Sequence, residues 1–295
     1  MSRVPVLKTY KLFINGQFPR TESGRYYSVE NKQGKLIANV CRASRKDFRN
    51  AVVAARAAQV VWGAKSALNK SQILYRLAEM LEGGKQQIIE ELTRQEVPSK
   101  KAEQEVLTAI DRIIYYAGWT DKFIQIYSTV NPVASSHFNF SLPEPTGVVS
   151  MIAPENPSFL GLISVIVPVI ISGNTCVVLA SEKYALNAIT FSEMLATSDI
   201  PNGVINILTG FEKELLPHFA NHMDVNAIVY ARATSSSIAM IQELASLNVK
   251  RVIDWHKKDW WRPDDAESPY LILDACEIKT SWHPIENIGT AGLKY

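Results

Sequence analysis

The sequence predicts an α/β fold with a doubly wound parallel sheet, preceded by an N-terminal portion of hairpin and helices. The first observation is that, from Gly147 onward, short apolar runs alternate with longer helical segments. Such alternation is typical of right-handed βαβ units, in which a helix connects each parallel strand to the next. The second observation is size, because 295 residues, of which 47% are hydrophobic and 20% charged, can bury a large core.

The first forty residues are predicted to form β structure. The apolar run 12–14 is followed by Asn15-Gly16, which is typical of a tight hairpin because both turn positions must accept positive φ. A segment at 26–29 continues this small sheet. We therefore expect an N-terminal hairpin ahead of the helices.

Three helices are predicted next. The first begins near Ser44, where Asp47 three residues later resembles a capping box, and it ends near residue 63. The second is predicted to stop at Gly83-Gly84, since glycine accepts the left-handed conformation that often follows a helix. The third runs from about residue 104 to 123, with an apolar stripe at helical spacing.

A strand outside the main sheet is predicted before residue 143. Phe138, Phe140 and Leu142 alternate with Asn139 and Ser141, which is the period of a half-buried strand. Such a strand is a candidate for pairing with another chain.

The main sheet follows from the alternating pattern. Its predicted strands lie at 148–152, 176–179, 204–208, 227–230 and 251–253. The helices between them are predicted at 159–171, 186–197, 212–219 and 236–247. After an irregular segment rich in tryptophan, one further strand is predicted at 270–273.

The charge balance excludes several classes of protein. Basic residues number 31 against 29 acidic ones, without a run of like charges, so we expect neither a nucleic-acid partner nor a membrane anchor. The most apolar run, 159–171, is too short to span a bilayer, and no signal peptide is evident. The three cysteines are widely spaced and odd in number, which favours a reducing cytoplasm over a disulfide framework.

Two further groups of residues have a functional and a simpler interpretation. His218 and His222 have the i, i+4 spacing of paired metal ligands, but no glutamate completes an HExxH motif, so no metal site is predicted. Tryptophans interleave with basic residues at 255–262, as in some single-stranded nucleic-acid platforms. Because tryptophan is enriched at protein interfaces, contact with a partner surface is the preferred interpretation.

Three segments resemble the cofactor-binding half of the aldehyde dehydrogenase superfamily. They are GVVSMIAPENPSFLGLISVIVPVIISGNTCVVLASE, DIPNGVINILTG and HMDVNAIVYARAT. The FINGQF hairpin and the SRKDFRNAVVAARAAQVVW helix resemble the N-terminal portion of the same family. The resemblance implies a Rossmann-type domain at residues 1–127 and 143–274, an oligomerisation β arm at 128–142, and a remnant of the catalytic domain at 275–295.

The resemblance also implies a chemistry. Active members attack an aldehyde with a cysteine thiolate, transfer hydride to NAD(P) and release the acid with a carboxylate-activated water. The asparagine that holds the oxyanion corresponds to Asn156, but Glu155 replaces the tryptophan before it and would oppose developing negative charge. The lysine that holds the cofactor ribose corresponds to Leu179, followed by Ser181 and Glu182, and leucine cannot donate those hydrogen bonds.

Two further parts of the implied site differ more strongly. The phosphate-binding turn corresponds to 232–237, where Arg232 and Ser237 replace glycines that let the backbone approach a phosphate. The stretch 287–291 resembles the nucleophile motif but ends in alanine instead of cysteine. Cys276 is the one cysteine near this region, and a small buried residue is its preferred interpretation over a displaced nucleophile.

The combined pattern is closest to the truncated, non-catalytic second aldehyde-dehydrogenase-like region of family 16 members. We therefore expect an inactive structural or regulatory subunit that assembles with itself or with a full-length aldehyde dehydrogenase. No cofactor is expected, and Glu155, Ser181, Glu182 and Arg232 are interpreted as a vestigial NAD(P) cleft. Two alternatives stay open: an active NAD(P)-dependent aldehyde oxidoreductase that uses Cys276, and a nucleotide- or anion-binding module anchored by Arg232.

Overall fold

A computed structural model describes residues 7–232 and 236–285. The N-terminal part contains β1 (Thr9–Tyr10), β2 (Tyr26–Glu30), β3 (Leu36–Cys41), α1 (Arg45–Gly63), α2 (Ala67–Arg94), α3 (Ser99–Ala117) and α4 (Phe123–Tyr127). The next elements are β4 (Thr129–Asn131), β5 (His137–Pro145), β6 (Val148–Ile152), α5 (Ser158–Ile171), β7 (Thr175–Leu179), α6 (Leu186–Thr197) and β8 (Ile205–Leu208). The last are α7 (Glu212–Asn221), β9 (Ala227–Tyr230), α8 (Ser236–Ser246), β10 (Arg251–Asp254), α9 (Pro263–Ala266), α10 (Tyr270–Asp274) and β11 (Cys276–Pro284).

The main sheet is parallel and has the strand order β10-β9-β6-β7-β8. This confirms the doubly wound sheet that the alternating pattern predicts. The chain moves outward from β6 to β8 and then crosses back to β9, on the other side of β6. The carboxyl ends of β6 and β9 therefore border the point where the strand order reverses, which is where open α/β sheets bind ligands.

The most apolar helix is α5, and all 14 of its residues are buried. Its amino end is capped by the buried Glu105 of α3, whose carboxylate accepts hydrogen bonds from the backbone of Phe159 and Leu160 at 2.7 and 3.2 Å. Within residues 7–232 and 236–285, no helix combines the length and the apolar character needed to cross a membrane.

The predicted tight turn forms at Asn15-Gly16, where φ is 53° and 72°. A Cβ at the second position would lie 1.9 Å from the Asn202 side chain, so any other residue there would force Asn202 to move. The backbone of Phe13 exchanges hydrogen bonds of 2.9 and 2.8 Å with Ile207 of β8. The turn is thus attached to the edge of the main sheet, while β1, β3 and β2 form a separate small sheet.

The first two long helices bear on two predictions about helix ends. α1 begins with the predicted capping box, since the side chains of Ser44 and Asp47 each accept a hydrogen bond from the other residue's backbone. The predicted end of α2 at Gly83-Gly84 is wrong, because the helix continues to Arg94. A Cβ at Gly84 would lie 2.3 Å from the terminal carbon of Met194. Gly84 therefore lets α2 and α6 pack closely and does not end the helix.

A three-stranded antiparallel sheet, the arm sheet, contains β11, β5 and β4 in this order. Along β5 the side chains alternate, so that Asn139 and Ser141 are buried while Phe138 is 45% exposed. Residues 276–284, which sequence analysis assigned to a catalytic-domain remnant, pair with β5 along its whole length as β11. The assignment of residues 275–295 to a catalytic-domain remnant stays a prediction, and residues 286–295 lie outside the described residues.

The segment between β10 and β11 packs back onto the core. Trp255 and Trp260 are buried, and the indole N–H of Trp255 donates to Asp274 at 2.8 Å. The fully buried guanidinium of Arg112, on α3, donates to the carbonyl of Trp260 at 3.4 Å and to Glu267 at 3.3 Å. The tryptophan-rich segment is thus largely part of the core.

The predicted strand at 270–273 is wrong, because these residues form α10. Pro269 precedes the helix with φ −64° and ψ −16°, and the adjacent side chains of Leu271 and Ile272 are both buried. Two neighbouring buried residues do not fit the alternation of a half-buried strand, but they fit one side of a helix.

Candidate functional site

The candidate site lies at the carboxyl edge of the main sheet. Glu155 follows β6, Ser181 and Glu182 follow β7, and Arg232 follows β9. The carboxyl ends of parallel strands share one edge, so these four residues, which the sequence places far apart, meet where the strand order reverses. The structure therefore brings together the residues interpreted as a vestigial cleft.

Arg232 lies at the centre of this edge and is only 5% exposed. Its Nε donates to the carbonyl of Ala153 at 3.1 Å, and its Nη2 donates to the carbonyl of Ala180 at 3.0 Å. These carbonyls directly follow β6 and β7. The guanidinium thus bridges the ends of two adjacent strands.

The remaining donors of Arg232 bind three carboxylates. Nη2 lies 2.8 Å from Glu155, and Nη1 lies 2.9 Å from Glu182 and 3.0 Å from Glu212. Arg232, Glu155, Glu182 and Glu212 are called the edge network below. Four of the five N–H groups of the guanidinium donate hydrogen bonds within the chain, and Glu155 adds an ion pair at Nη2.

Glu155 also fixes the loop after β7. Its carboxylate accepts hydrogen bonds from the Ser181 hydroxyl at 2.7 Å and from the Glu182 backbone N–H at 3.1 Å. The acid that replaces the family's tryptophan therefore organises this loop. Asn156, the next residue, is exposed, and its side chain forms no hydrogen bond with a described residue.

Glu212 was missed by sequence analysis. It is the first residue of α7, and its carboxylate accepts hydrogen bonds from the Tyr230 hydroxyl at 2.9 Å and the Ser237 hydroxyl at 3.2 Å. Burial, followed by the charge of Glu212, raises the pKa of Tyr230 to about 12. Its place in the sequence could have identified it, because Glu212 follows β8 and therefore also lies at the carboxyl edge of the sheet.

Tyr27, a residue that sequence analysis assigned to the small N-terminal sheet, covers this edge from β2. Its hydroxyl donates to the Glu182 carbonyl at 3.4 Å. Burial raises the pKa of Tyr27 above its usual range, and the nearby charges of Glu182 and Glu155 raise it further. The hydroxyl therefore stays protonated at neutral pH and acts as a hydrogen-bond donor.

Cys276 lies away from the edge network. It is the first residue of β11, pairs with Pro145 just before β6, and its carbonyl accepts from Arg251 at the start of β10. Those positions mark the amino edge of the main sheet, opposite Arg232. Cys276 is 1% exposed, its thiol lies 3.2 Å from the Ile272 carbonyl, and burial raises its pKa to about 11.

No cysteine of this chain has the surroundings of a nucleophile. Cys41 and Cys176 are also buried, and burial raises the pKa of Cys176 to about 12. A reactive cysteine needs an accessible thiolate with a lowered pKa. The geometry therefore gives no support to Cys276 as a displaced nucleophile.

The described residues do not fit a bound dinucleotide. Arg232 fills the carboxyl edge, and the three carboxylates around it would face the phosphates with like charge. Leu179, in the place of the ribose lysine, is a buried residue at the end of β7. Arg232 is already paired with three carboxylates of its own chain, so the geometry gives no support to its role as an anion anchor either.

The fold and the site together define a class of protein: a doubly wound α/β protein of the dinucleotide-binding type, with an added arm sheet and a carboxyl edge closed by its own side chains. A family model described as the aldehyde dehydrogenase family matches residues 18–253. The chain belongs to this family, as the sequence resemblance predicts. The narrower resemblance to the second region of family 16 members stays a prediction.

Curated relatives are similar to this chain over most of its length. Omega-crystallin of Enteroctopus dofleini is 30% identical over 255 residues, which cover 85% of this chain and 51% of the relative. Retinal dehydrogenase 2 of Gallus gallus is 32% identical over 253 residues, with 83% and 48% covered. Cytosolic 10-formyltetrahydrofolate dehydrogenase of Xenopus tropicalis is 31% identical over 275 residues, with 91% and 30% covered. The chain thus spans about half the length, or less, of these relatives.

Solved structures confirm the fold class. An NAD+ complex of aldehyde dehydrogenase from Bacillus cereus has a TM-score of 0.78 at 25% identity and covers 84% of this chain and 50% of that chain. PnpE from Pseudomonas sp. WBC-3 has a TM-score of 0.79 at 26% identity, with the same coverage.

Proposed function

We propose that this chain is a non-catalytic member of the aldehyde dehydrogenase family that serves as a structural or regulatory subunit of an oligomer. The observation that carries the proposal is the edge network. Where a dinucleotide would enter, the chain places a buried guanidinium that donates four hydrogen bonds within the chain and pairs with three carboxylates. A side chain held this way competes with any ligand for the same space.

The cysteines support the same proposal. All three are buried, and the one nearest the nucleophile motif lies at the opposite edge of the main sheet from Arg232. Hydride transfer in this family requires a covalent adduct between a thiolate and the aldehyde. We infer a cytoplasmic location as well, because the cysteines are unpaired.

The arm sheet is the surface that we propose for assembly. Val130 of β4 is 68% exposed and lies opposite Phe140 of β5, next to the exposed Phe138. Trp282 and Ile278 of β11 are also more than half exposed. Exposed apolar side chains on a sheet with open edge strands favour pairing with another chain. The partner is a second copy, a full-length aldehyde dehydrogenase, or both.

A cofactor and activity experiment tests the first half of the proposal. The purified chain is titrated with NAD and NADP by calorimetry, and then mixed with each cofactor and a set of short aldehydes. We expect no binding heat and no growth of absorbance at the nicotinamide band. Cofactor reduction that disappears in Cys276→Ala would overturn the proposal in favour of an active oxidoreductase.

Light scattering after size-exclusion chromatography tests the second half. We expect an oligomer, either alone or after mixing with a full-length aldehyde dehydrogenase from the same source. Phe138→Glu should shift it to the monomer because a charge is costly to bury in an apolar contact. Val60→Glu is the control, since Val60 is also an exposed apolar residue but lies on α1, away from the arm sheet. A monomer under both conditions, or equal dissociation by both variants, would contradict the assembly role.

A further inference from the structure

A second cluster of charged side chains lies at the far end of α7 from the edge network. Arg45 and Arg49 of α1 and His218 and His222 at the carboxyl end of α7 line a cavity of about 510 Å³. The other lining residues are Phe48, Asn221, Met223 and Leu247. We call it the cationic cavity, because none of the lining residues is acidic.

The arginines of the cationic cavity are free of carboxylates. Neither Arg45 nor Arg49 forms an ion pair within residues 7–232 and 236–285, and both are exposed. The neighbouring Asp224 is bound by Arg56, whose Nε lies 2.8 Å from it. Lys250, buried behind His222, adds another positive charge and donates to the His222 carbonyl at 3.0 Å. The cavity therefore has an excess of positive charge.

The histidines are held in different ways. His222 Nδ1 accepts the backbone N–H of Asp224 at 3.2 Å, which leaves Nε2–H as a donor. Its ring contacts Phe48 edge-on at 5.6 Å between centroids, and Phe48 in turn stacks on Phe219 at 4.1 Å. His218 forms no side-chain hydrogen bond with a described residue, so both of its ring nitrogens are available. The cavity thus presents the Nε2–H of His222 as a fixed donor, beside the ring of His218, which can take up a proton.

We infer that the cationic cavity binds a small molecule that carries a phosphate group on an apolar body. The two guanidinium groups and the imidazoles offer the charge-assisted hydrogen bonds that phosphate oxygens accept. The cavity is larger than a single phosphate needs, and Met223 and Leu247 give its rim an apolar part. This site is independent of the proposed subunit role, since it does not include the edge network or the arm sheet.

Binding should be coupled to a proton. Burial lowers the pKa of His218, and the charge of Arg45 lowers it further. A bound anion offsets the charge of Arg45 and so raises the pKa of His218, which then takes up a proton. His222 is also influenced by Arg45, Arg49, Asp224 and Lys250, but its Nδ1 is already engaged. We therefore expect tighter binding of an anion as the pH falls.

The test is a calorimetric titration of the purified chain with phenyl phosphate and with inorganic phosphate. We expect saturable binding, tighter for phenyl phosphate, and at least an approximately tenfold loss in Arg45→Gln/Arg49→Gln. Lys46→Gln is the matched control for the single variants Arg45→Gln and Arg49→Gln, because it also removes one charge from the same part of α1 but Lys46 pairs with Glu22 instead of lining the cavity. Absence of saturable binding, or an equal loss in Lys46→Gln, would overturn the inference.

Sulfate tests the proton coupling, since its charge is constant between about pH 5 and 7, where a histidine with a lowered pKa titrates and Lys250 stays charged. We expect its affinity to rise as the pH falls and the rise to disappear in His218→Asn. A pH dependence that persists in His218→Asn would refute the role of His218. Circular dichroism of each variant verifies that the fold is retained.

Discussion

The two ends of α7 show arginines of the same charge in opposite surroundings. At the amino end, Arg232 is buried, donates to two carbonyls and pairs with three carboxylates of its own chain. At the carboxyl end, Arg45 and Arg49 are exposed beside a cavity and pair with no described carboxylate. An arginine therefore indicates an anion site only where the folded chain leaves its N–H groups without acceptors.

The replacement Arg232→Met should give the largest effect on this comparison. It leaves three carboxylates without a counter-charge, and breaking a buried ion pair lowers the free energy of unfolding by about 3–5 kcal/mol. Because Glu155 and Glu182 are partly exposed, we expect the lower end of that range. Urea unfolding followed by circular dichroism measures it.

Arg25→Met is the control for Arg232→Met. Arg25 is exposed and pairs with Glu214 at 3.4 Å, so its loss should change the free energy of unfolding by less than about 1 kcal/mol. Equal effects of the two variants would show that the edge network contributes no special stability.

Lys250 should give the next largest effect, through pH. Its Nζ donates to the carbonyl of Ala220 at 2.6 Å, and burial lowers its pKa from 10.5 to about 8. Between those pH values the unfolded chain binds more protons than the folded one, so the free energy of unfolding rises with pH. Relative to Lys250→Met, the rise should reach up to about 3 kcal/mol.

Unfolding of the wild type and of Lys250→Met at a series of alkaline pH values measures this difference. Lys46→Met, at an exposed lysine, should give a curve parallel to the wild type across the same window. A Lys250→Met curve parallel to the wild type would contradict the lowered pKa.

A smaller loss is expected for Glu212→Gln. The amide keeps the shape and can still accept from Tyr230 and Ser237, but it loses the charge that faces Arg232. We expect a loss of about 1–2 kcal/mol in the free energy of unfolding. In the double variant with Arg232→Met the two losses should be less than additive, because both residues belong to the edge network. Strict additivity would mean that the pair is not coupled.

The smallest effect is expected for Arg45→Gln. Removing a charge from the cationic cavity relieves repulsion, so the free energy of unfolding should rise slightly or stay within about 0.5 kcal/mol. A marked loss of stability, measured by the same urea unfolding, would show that Arg45 has a structural partner and would remove the contrast with Arg232.

Local patterns predicted much of the fold. The sequence predicts the Asn15-Gly16 turn, the Ser44 capping box and the parallel strands, because each of these depends on residues close in sequence. The predicted end of α2 at Gly83-Gly84 is wrong for the opposite reason. The role of Gly84 depends on Met194, which lies more than a hundred residues later in the chain. The strand predicted at 270–273 failed similarly, because a four-residue apolar run has no clear period and packing made it a helix.

The sequence predicts which residues form the candidate site but not what those residues do there. Parallel strands place Glu155, Ser181, Glu182 and Arg232 at one edge, so their proximity follows from the topology. That Arg232 would be held by two carbonyls and three carboxylates of its own chain does not follow, since this depends on three loops and on Glu212. The sequence alone therefore left open whether Arg232 anchors an anion or closes the edge.

The edge network has a consequence for how the stability of this protein depends on the cell. A fold that closes around a free metabolite gains stability only in proportion to the logarithm of that metabolite's concentration. Here the group that fills the edge is covalently part of the chain and is always present at one equivalent. The contribution of the edge network to the free energy of unfolding should therefore be the same in metabolite-poor and metabolite-rich surroundings.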